Sequence, residues 1–125
     1  MTAVNTNLFN GNRVKLSMPR EEDVEVMLKW EEDSEYLRNV DTDIALPKSK
    51  EQLISDGKPA LNEVYFRLRT IDKDHLIGFV TIHSIEWNNR TGVLSIGIGE
   101  SSNRNKGYGS DALKLILRYA FQELN

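Results

Sequence analysis

The chain has 125 residues, of which 39% are hydrophobic and 28% charged, so it is long enough for one domain, 1–125, with a single core. Its net charge of −3 gives no general attraction for nucleic acid, and the lack of cysteine excludes disulfides, thiolate zinc sites and thiol nucleophiles. Two histidines argue against a histidine-rich metal site, and no apolar run reaches the length of a membrane span. We therefore expect a cytoplasmic domain without a metal, a membrane anchor or a nucleic-acid partner.

The first half of the chain predicts one strand followed by short helices. Residues 12–18 alternate polar and apolar side chains, which is typical of a strand. Pro19 is expected to end this strand and open a helix. Trp30, near the end of that helix, is expected to pack in the core or at its edge, and the alternative is a contact with substrate. Two further short helices are predicted over 34–40 and 50–55.

The middle of the chain predicts an antiparallel meander. Residues 63–71 alternate in polarity, and residues 76–85 form a nearly continuous apolar run, which is typical of a central strand covered on both faces. A fourth strand follows at 93–99. Because short polar turns join these strands, they should pair antiparallel, with the first strand alongside. Gly78 inside the third strand predicts a bulge or a close backbone approach.

A polar loop with two glycines separates the fourth strand from an amphipathic helix. The helix has apolar residues at helical spacing, namely Ala112, Leu115, Ile116, Tyr119 and Ala120. Gly107 and Gly109 let the backbone approach a ligand without an intervening Cβ, and the first N–H groups of the helix have no intrahelical partner. The helix dipole, Arg104 and Lys106 add positive charge there. The segment therefore predicts a site for a phosphate or pyrophosphate.

Two nucleotide-binding patterns compete for this segment. The P-loop pattern fails because no lysine stands between Gly109 and Ser110. Residues 107–112 match the dinucleotide pattern G-x-G-x-x-G/A, but that pattern belongs to a parallel βαβ unit, whereas the upstream strands are predicted to be antiparallel. The acidic residue expected about 20 positions later would also fall past the last residue of the sequence.

A third pattern, R/Q-x-x-G-x-G/A, is matched by Arg104 to Gly109. It is similar to the acetyl-coenzyme A signature of the GNAT N-acetyltransferase superfamily, and residues 96–124 resemble its ribosomal-protein and diamine acetyltransferase branch. The resemblance implies an α+β fold with a mainly antiparallel sheet flanked by helices. It also implies transfer of an acetyl group from acetyl-coenzyme A to a primary amine of a small molecule or a protein N-terminus. The coenzyme-binding residues that it implies are Ile98, Gly99, Arg104, Asn105, Lys106, Gly107, Tyr108, Gly109 and Ser110.

The roles of these residues differ within the resemblance. In the family, the end of the fourth strand splays from its neighbour, and its free backbone groups bind the pantetheine arm; Ile98 and Gly99 are the matching positions. Many members carry a carboxylate on this strand, about where this chain has Val93. The candidates for a general base are therefore Glu86, Glu100, His83 and Ser95, of which Glu86 and Glu100 are preferred.

The helices between the first two strands line the acceptor side in the resembled family. If this carries over, a group of carboxylates would make an acidic entrance that favours a cationic amine: Glu31, Glu32, Asp33, Asp41 and Asp43. The alternative is an ordinary solvated charged face.

The resemblance covers only the first part of the family's fold, since a further strand, helix and hairpin would normally follow the last helix. We therefore expect an N-terminal part of an acetyltransferase whose fourth strand has an unpaired edge, or a chain that completes itself as a homodimer or strand-exchanged oligomer. The alternative function is a non-catalytic module of the same fold that binds coenzyme A or a protein partner.

Overall fold

A computed structural model of the chain describes residues 7–40, 47–58, 60–104 and 106–124. These residues form one four-stranded sheet, four α-helices and a short 3-10 turn, Ser101–Asn103. The strands are β1 (Val14–Ser17), β2 (Val64–Thr70), β3 (Leu76–Glu86) and β4 (Thr91–Ile98). The helices are α1 (Asp23–Trp30), α2 (Ser34–Val40), α3 (Lys50–Asp56) and α4 (Tyr108–Tyr119), and a π-helical turn, Ala120–Leu124, continues α4.

The sheet has the strand order β1-β2-β3-β4, and each neighbouring pair is antiparallel. The predicted meander, with the first strand alongside, is confirmed. The predicted α+β class with a mainly antiparallel sheet is also confirmed. β3 lies between β2 and β4, as its long apolar run predicted, and β4 has no strand partner other than β3 in the described part of the chain.

Each face of the sheet is covered by helices. On one face α4 packs against alternate strand residues in a core of Val14, Leu16, Phe66, Leu68, Ile77, Val80, Ala112, Leu115 and Ile116. On the other face α1, α2 and α3 bury a second cluster, which consists of Val24, Met27, Trp30, Tyr36, Leu37 and Leu53. Trp30 is 2% exposed, so its predicted core position is confirmed. The period-2 alternation of the strands divides their side chains between these two cores.

Gly78 marks a close approach between two backbones, as predicted. A Cβ at residue 78 would collide with the carbonyl oxygen of Gly97 on β4. The pairing of β2 with β3 is also irregular here, since Leu68 pairs with Gly78 and Arg69 with Leu76. This irregularity lies at the end of the sheet that carries the loop before α4.

α1 begins at Asp23, four residues later than Pro19 predicted, because Arg20 and the two residues after it form a turn closed by the Asp23 carboxylate. The backbone N–H of Arg20 donates to Asp23 Oδ2 at 2.7 Å. The same carboxylate pairs with Arg67 at 3.1 Å and Arg69 at 2.6 Å, and all three side chains are at most 3% exposed. This buried ion triad fixes the start of α1 on β2.

No helix in the described ranges is both long and apolar enough to cross a membrane.

Candidate functional site

The loop before α4 turns into the helix through a glycine in the left-handed region. Gly107 has a φ of +82°, which glycine adopts without a Cβ clash, and no side chain of a described residue caps the helix here. The N–H groups of the first turn therefore point out of the helix with the positive end of the dipole behind them. This geometry suits an anionic group, and the phosphate site itself stays a prediction.

Gly109 lies in the first turn of α4 and faces open space. A Cβ at this position would have nothing within 4 Å in the described part of the chain. Glycine inside a helix costs about 0.5–1 kcal/mol relative to alanine, and no contact with a described residue requires it here. The missing side chain instead leaves the helix backbone accessible to a ligand.

Asp111 anchors the first turn of α4 to the beginning of β1. Its carboxylate accepts hydrogen bonds from the backbone N–H groups of Asn12, Arg13 and Val14, at 3.1, 2.8 and 2.9 Å. Burial raises the pKa of Asp111, but these three bonds outweigh it and hold the pKa below the usual range. Arg13 adds a second tie, since its Nη1 donates to the Lys106 carbonyl at 2.8 Å. The position of the loop thus depends on β1.

In the sequence, this anchor is visible only as an acidic residue in the first turn of a helix. The donors are backbone groups, which every residue except proline possesses. Arg13 looked like an ordinary polar position of an alternating strand.

Arg104 is engaged within the protein. Its guanidinium donates to the carbonyl oxygens of Ile98 at 3.2 Å and Gly99 at 3.0 Å, and pairs with Asp33 at 3.2 Å and Glu35 at 3.3 Å. The Arg104 side chain is only 13% exposed. Arg104 therefore connects the end of β4 to the start of α2, and its predicted contact with the coenzyme stays a prediction.

The backbone groups predicted to bind the pantetheine arm also have partners. Both carbonyls, of Ile98 and of Gly99, accept from Arg104, and the Gly99 N–H donates to Ile77 at 2.9 Å. The requirement for glycine at residue 99 comes from packing, because a Cβ there would collide with the indole ring of Trp30. The indole Nε1 of Trp30 donates to Glu100 at 3.3 Å.

The remaining loop residues surround the N-terminus of α4. Lys106 and Ser110 are exposed, and Tyr108 packs partly against the core beneath α4. Lys106, Tyr108 and Glu100 line one cavity of about 560 Å³. Asn105, which was also predicted to bind the coenzyme, lies outside the described residues.

The two preferred general bases lie at opposite ends of β4. Glu86 pairs with Thr91 at the beginning of the strand, whereas Glu100 follows its end. A strand of this length spans roughly 26 Å at ~3.3 Å per residue, so the two carboxylates cannot act on one reacting group. Glu100 lies beside the loop, and Glu86 accepts from the side-chain amide of Asn89 at 3.2 Å.

The two other candidates, His83 and Ser95, contact each other. His83 Nε2 lies 3.3 Å from Ser95 Oγ across the β3–β4 pair. His83 Nδ1 lies 3.2 Å from Ser84 Oγ. The structure therefore brings together two candidates that the sequence placed on different strands.

The proposed acidic entrance is only partly open. Glu31 is buried and accepts from the Lys48 N–H at 2.7 Å, and its burial raises its pKa although this bond opposes the shift. Glu31 therefore does not line an open entrance. Asp33 caps α2 through the N–H of Glu35 at 3.0 Å and binds Arg104, so its carboxylate is also in use. Glu32 is exposed; Asp41 and Asp43 lie outside the described residues.

Two other classes of site find no support. No group of three or more histidine, aspartate or glutamate side chains among the described residues could hold a metal ion. Dinucleotide binding at G-x-G-x-x-G/A requires a parallel βαβ unit, whereas every strand pair of the described sheet is antiparallel.

Comparison with known proteins gives a match over most of the chain. A family model described as an acetyltransferase (GNAT) domain matches residues 13–125. No curated protein sequence matches the chain.

Solved structures share the fold at low sequence identity. An acetyltransferase of the GNAT family from Bacillus anthracis has a TM-score of 0.74 and 19% identity over 92% of this chain. Spermidine N-acetyltransferase from Vibrio cholerae, in complex with CoA and spermine, has a TM-score of 0.74 and 19% identity over 90%. RimL, a ribosomal alpha-N-protein acetyltransferase in complex with coenzyme A, has a TM-score of 0.71 and 12% identity over 89%. The chain spans 66% of the length of each.

Proposed function

This chain belongs to the GNAT acetyltransferase family, and on that premise we propose that it transfers the acetyl group of acetyl-coenzyme A to a primary amine. The main support is the uncapped, glycine-containing N-terminus of α4, which lies at the end of β4 inside the matched region. Open space at Gly109 adds to it, because a phosphate group could contact the helix backbone there.

The chain's own residues divide the binding of acetyl-coenzyme A between them. The N–H groups from Gly107 to Ser110 hold the pyrophosphate, and the exposed Lys106 supplies a full positive charge beside them. Asp111 and Arg13 act as positioning residues, since they fix this loop on β1. The end of β4 would hold the pantetheine arm, since the outer edge of this strand has no strand partner within the described residues.

The chemistry sets what else the site must supply. The coenzyme provides an activated thioester, whose carbonyl carbon bonds to the amine nitrogen as the carbon–sulfur bond breaks. The amine must lose a proton, so a base is required near β4. Glu100, which lies beside the loop, is one candidate for this base, and the His83–Ser95 pair on β3 and β4 is the other.

The acceptor is proposed only as a class, a primary amine of a small molecule or of a protein N-terminus. Two of the similar structures carry names that refer to spermidine and to a ribosomal protein. Spermidine is an example of a small-molecule amine, and the ribosomal protein is an example of a protein N-terminus.

A transfer assay tests this proposal. Release of coenzyme A would be followed with spermine and with a peptide that has a free α-amino group as acceptors. Amine-dependent release with either acceptor is the expected result. Binding of acetyl-coenzyme A without transfer to either would instead favour the non-catalytic module.

We also propose that the chain associates as a homodimer or strand-exchanged oligomer through the first part of the outer edge of β4, around Val93, which leaves the end of the strand to the pantetheine arm. The exposed side chain of Val93 lies on this strand, and strands with an unpaired edge tend to recruit another strand. Sedimentation should show a dimer that Val93→Lys weakens, because a charge on an edge strand opposes pairing. A monomer at high concentration would contradict this.

A further inference from the structure

The cross-strand pair of His83 and Ser95 has the geometry of a proton-accepting site. We propose that Ser95 and His83 together accept the proton of the attacking amine, an inference that rests on the acetyl transfer proposed above. Neither carboxylate preferred from the sequence is part of this pair.

The contacts form a chain of three side chains. His83 Nε2 lies 3.3 Å from Ser95 Oγ, and His83 Nδ1 lies 3.2 Å from Ser84 Oγ. A base that touches a hydroxyl with one nitrogen and is oriented by a second group through the other is the usual arrangement for proton transfer. Ser95 and His83 are both half-buried, so the pair is held in place and can still be reached.

Ser84 occupies this position through unusual backbone geometry. Its φ of +54° lies in the left-handed region, which a serine rarely adopts. The β3–β4 register is also irregular between His83 and Glu86. Such bulges are over-represented beside active sites, where they redirect side chains.

The pair lies on the face of β4 opposite to α4. Leu94, Ile96 and Ile98 pack against the core under α4. Because successive strand residues point to opposite faces, Ser95 shares its face with Gly97 and Gly99. Trp30 of α1 lies against Gly99, so this face of the sheet is the one that α1 covers. Ser95 is therefore about 13 Å along the strand from Gly99, at ~3.3 Å per residue, in the direction that the pantetheine arm would take away from the loop.

The composition of β3 and β4 favours His83 as the base of this pair. β4 contains no ionisable side chain, since its sequence is Thr-Gly-Val-Leu-Ser-Ile-Gly-Ile. On β3 the ionisable side chains are His83 and Glu86, and Glu86 is exposed beyond the irregular register and bonded to Asn89. His83 is thus the base next to the middle of β4.

The transfer of the amine proton requires no group other than Ser95 and His83. As the amine nitrogen bonds to the acetyl carbonyl carbon and the carbon–sulfur bond breaks, the amine proton passes to Ser95 Oγ. The hydroxyl proton of Ser95 passes to His83 Nε2, and coenzyme A leaves as the thiolate. Before the step, His83 must carry its proton on Nδ1 and donate it to Ser84 Oγ, which leaves Nε2 as the acceptor.

The tautomer of His83 gives a test that does not depend on activity. The chain has two histidines, so His75→Gln leaves His83 as the only imidazole. Nitrogen NMR of that variant should show the Nδ1–H tautomer, with an Nε2 signal that shifts when Ser95→Ala is added. The Nε2–H tautomer would overturn the proposal, because Nε2 could not then accept a proton from Ser95.

Steady-state kinetics with spermine and with the α-amino peptide provide a second test of the proposal. His83→Gln and Ser95→Ala should each lower kcat by about 100-fold and leave the KM for acetyl-coenzyme A unchanged, since general-base catalysis typically contributes that much. The exposed His75→Gln is the matched control and should retain wild-type kcat. Wild-type kcat in both variants would overturn the role of the pair while the acetyl transfer stands. If the wild-type chain acetylates neither probe, the proposed function fails and this inference fails with it.

Discussion

The indole ring of Trp30 lies so close to the backbone of Gly99 that a Cβ at residue 99 would collide with three of its ring carbons. This contact joins α1 to the end of β4, directly before the loop that leads to α4. Glycine in a strand often indicates a nearby ligand, but here the neighbour is a buried side chain of the protein itself. The position of the loop therefore depends on the packing of α1.

We expect Gly99→Ala to destabilise the fold by about 1–3 kcal/mol, because overpacking a buried contact forces neighbouring groups to move. The matched control is Gly109→Ala, whose Cβ would meet nothing within 4 Å and which should leave stability unchanged or raise it by up to about 1 kcal/mol. Urea unfolding of both variants provides the measurement. Equal stability of the two would contradict the Trp30 contact.

Asp111→Asn should destabilise the protein by about 2–3 kcal/mol at neutral pH, because a charged acceptor of three backbone N–H groups is lost. The pKa of Asp111 is lower in the folded state than in the unfolded chain. Its contribution to stability is therefore complete above the unfolded pKa of about 3.9 and is lost as the pH falls through the folded pKa.

Urea unfolding at about pH 7 and about pH 3 tests whether the contribution of Asp111 to stability falls on acidification. The ordinary aspartate pKa of about 3.9 lies between these two pH values. The difference between wild type and Asp111→Asn should shrink at the lower pH. A difference that grows on acidification would show that Asp111 is not held as a carboxylate.

The buried triad predicts a second large effect on stability. Asp23→Ala should cost about 3–5 kcal/mol, because it leaves Arg67 and Arg69 buried without a counter-ion. The matched control replaces all three residues, with Asp23→Leu, Arg67→Met and Arg69→Met, and should recover most of the loss. Thermal and urea unfolding provide the comparison. A triple variant no more stable than Asp23→Ala would show that the loss does not come from the unpaired charges.

Substitutions at the two basic residues of the loop should affect different properties, stability for Arg104 and coenzyme binding for Lys106. Arg104→Gln should lower stability by about 1–3 kcal/mol, because the guanidinium contacts two carbonyls and two carboxylates. Lys106→Gln, at an exposed position, should change stability by less than about 0.5 kcal/mol. It should weaken acetyl-coenzyme A binding about 2- to 5-fold in low salt, and less in high salt, because an exposed charge is screened.

Urea unfolding and titration calorimetry distinguish the two effects. The reverse pattern, with Lys106 important for stability and Arg104 only for binding, would restore Arg104 as the phosphate-binding cation that the sequence predicted.

Local patterns identified most of the fold because they record which side of an element is buried. The alternation in β2 and the helical spacing in α4 are examples. The start of α1 was predicted four residues early, because the sequence does not reveal the turn closed by Asp23. Contacts between distant positions were not predictable in the same way. Asp111 binds the N–H of Arg13, 98 positions away, and a backbone donor leaves no mark in the sequence.

The candidate site shows the same contrast between features that a local pattern reveals and contacts that depend on packing. The glycines of the loop were recognisable because their conformational freedom is a property of the residue itself. The surroundings of Arg104 were not, since they depend on how α2 packs against the end of β4. For the same reason the sequence could not show that His83 and Ser95 meet across two strands, or that Glu86 and Glu100 lie far apart.

Calorimetric titration of acetyl-coenzyme A into the wild-type chain and Gly109→Val tests the central claim most directly. The valine side chain would project into open space, so the variant should keep the wild-type unfolding midpoint while its side chain blocks the helix backbone. We predict that the wild type binds acetyl-coenzyme A and not NAD, and that the folded variant loses this binding. A folded Gly109→Val variant that binds acetyl-coenzyme A as well as the wild type, or a wild type that prefers NAD, would contradict a coenzyme site at the N-terminus of α4.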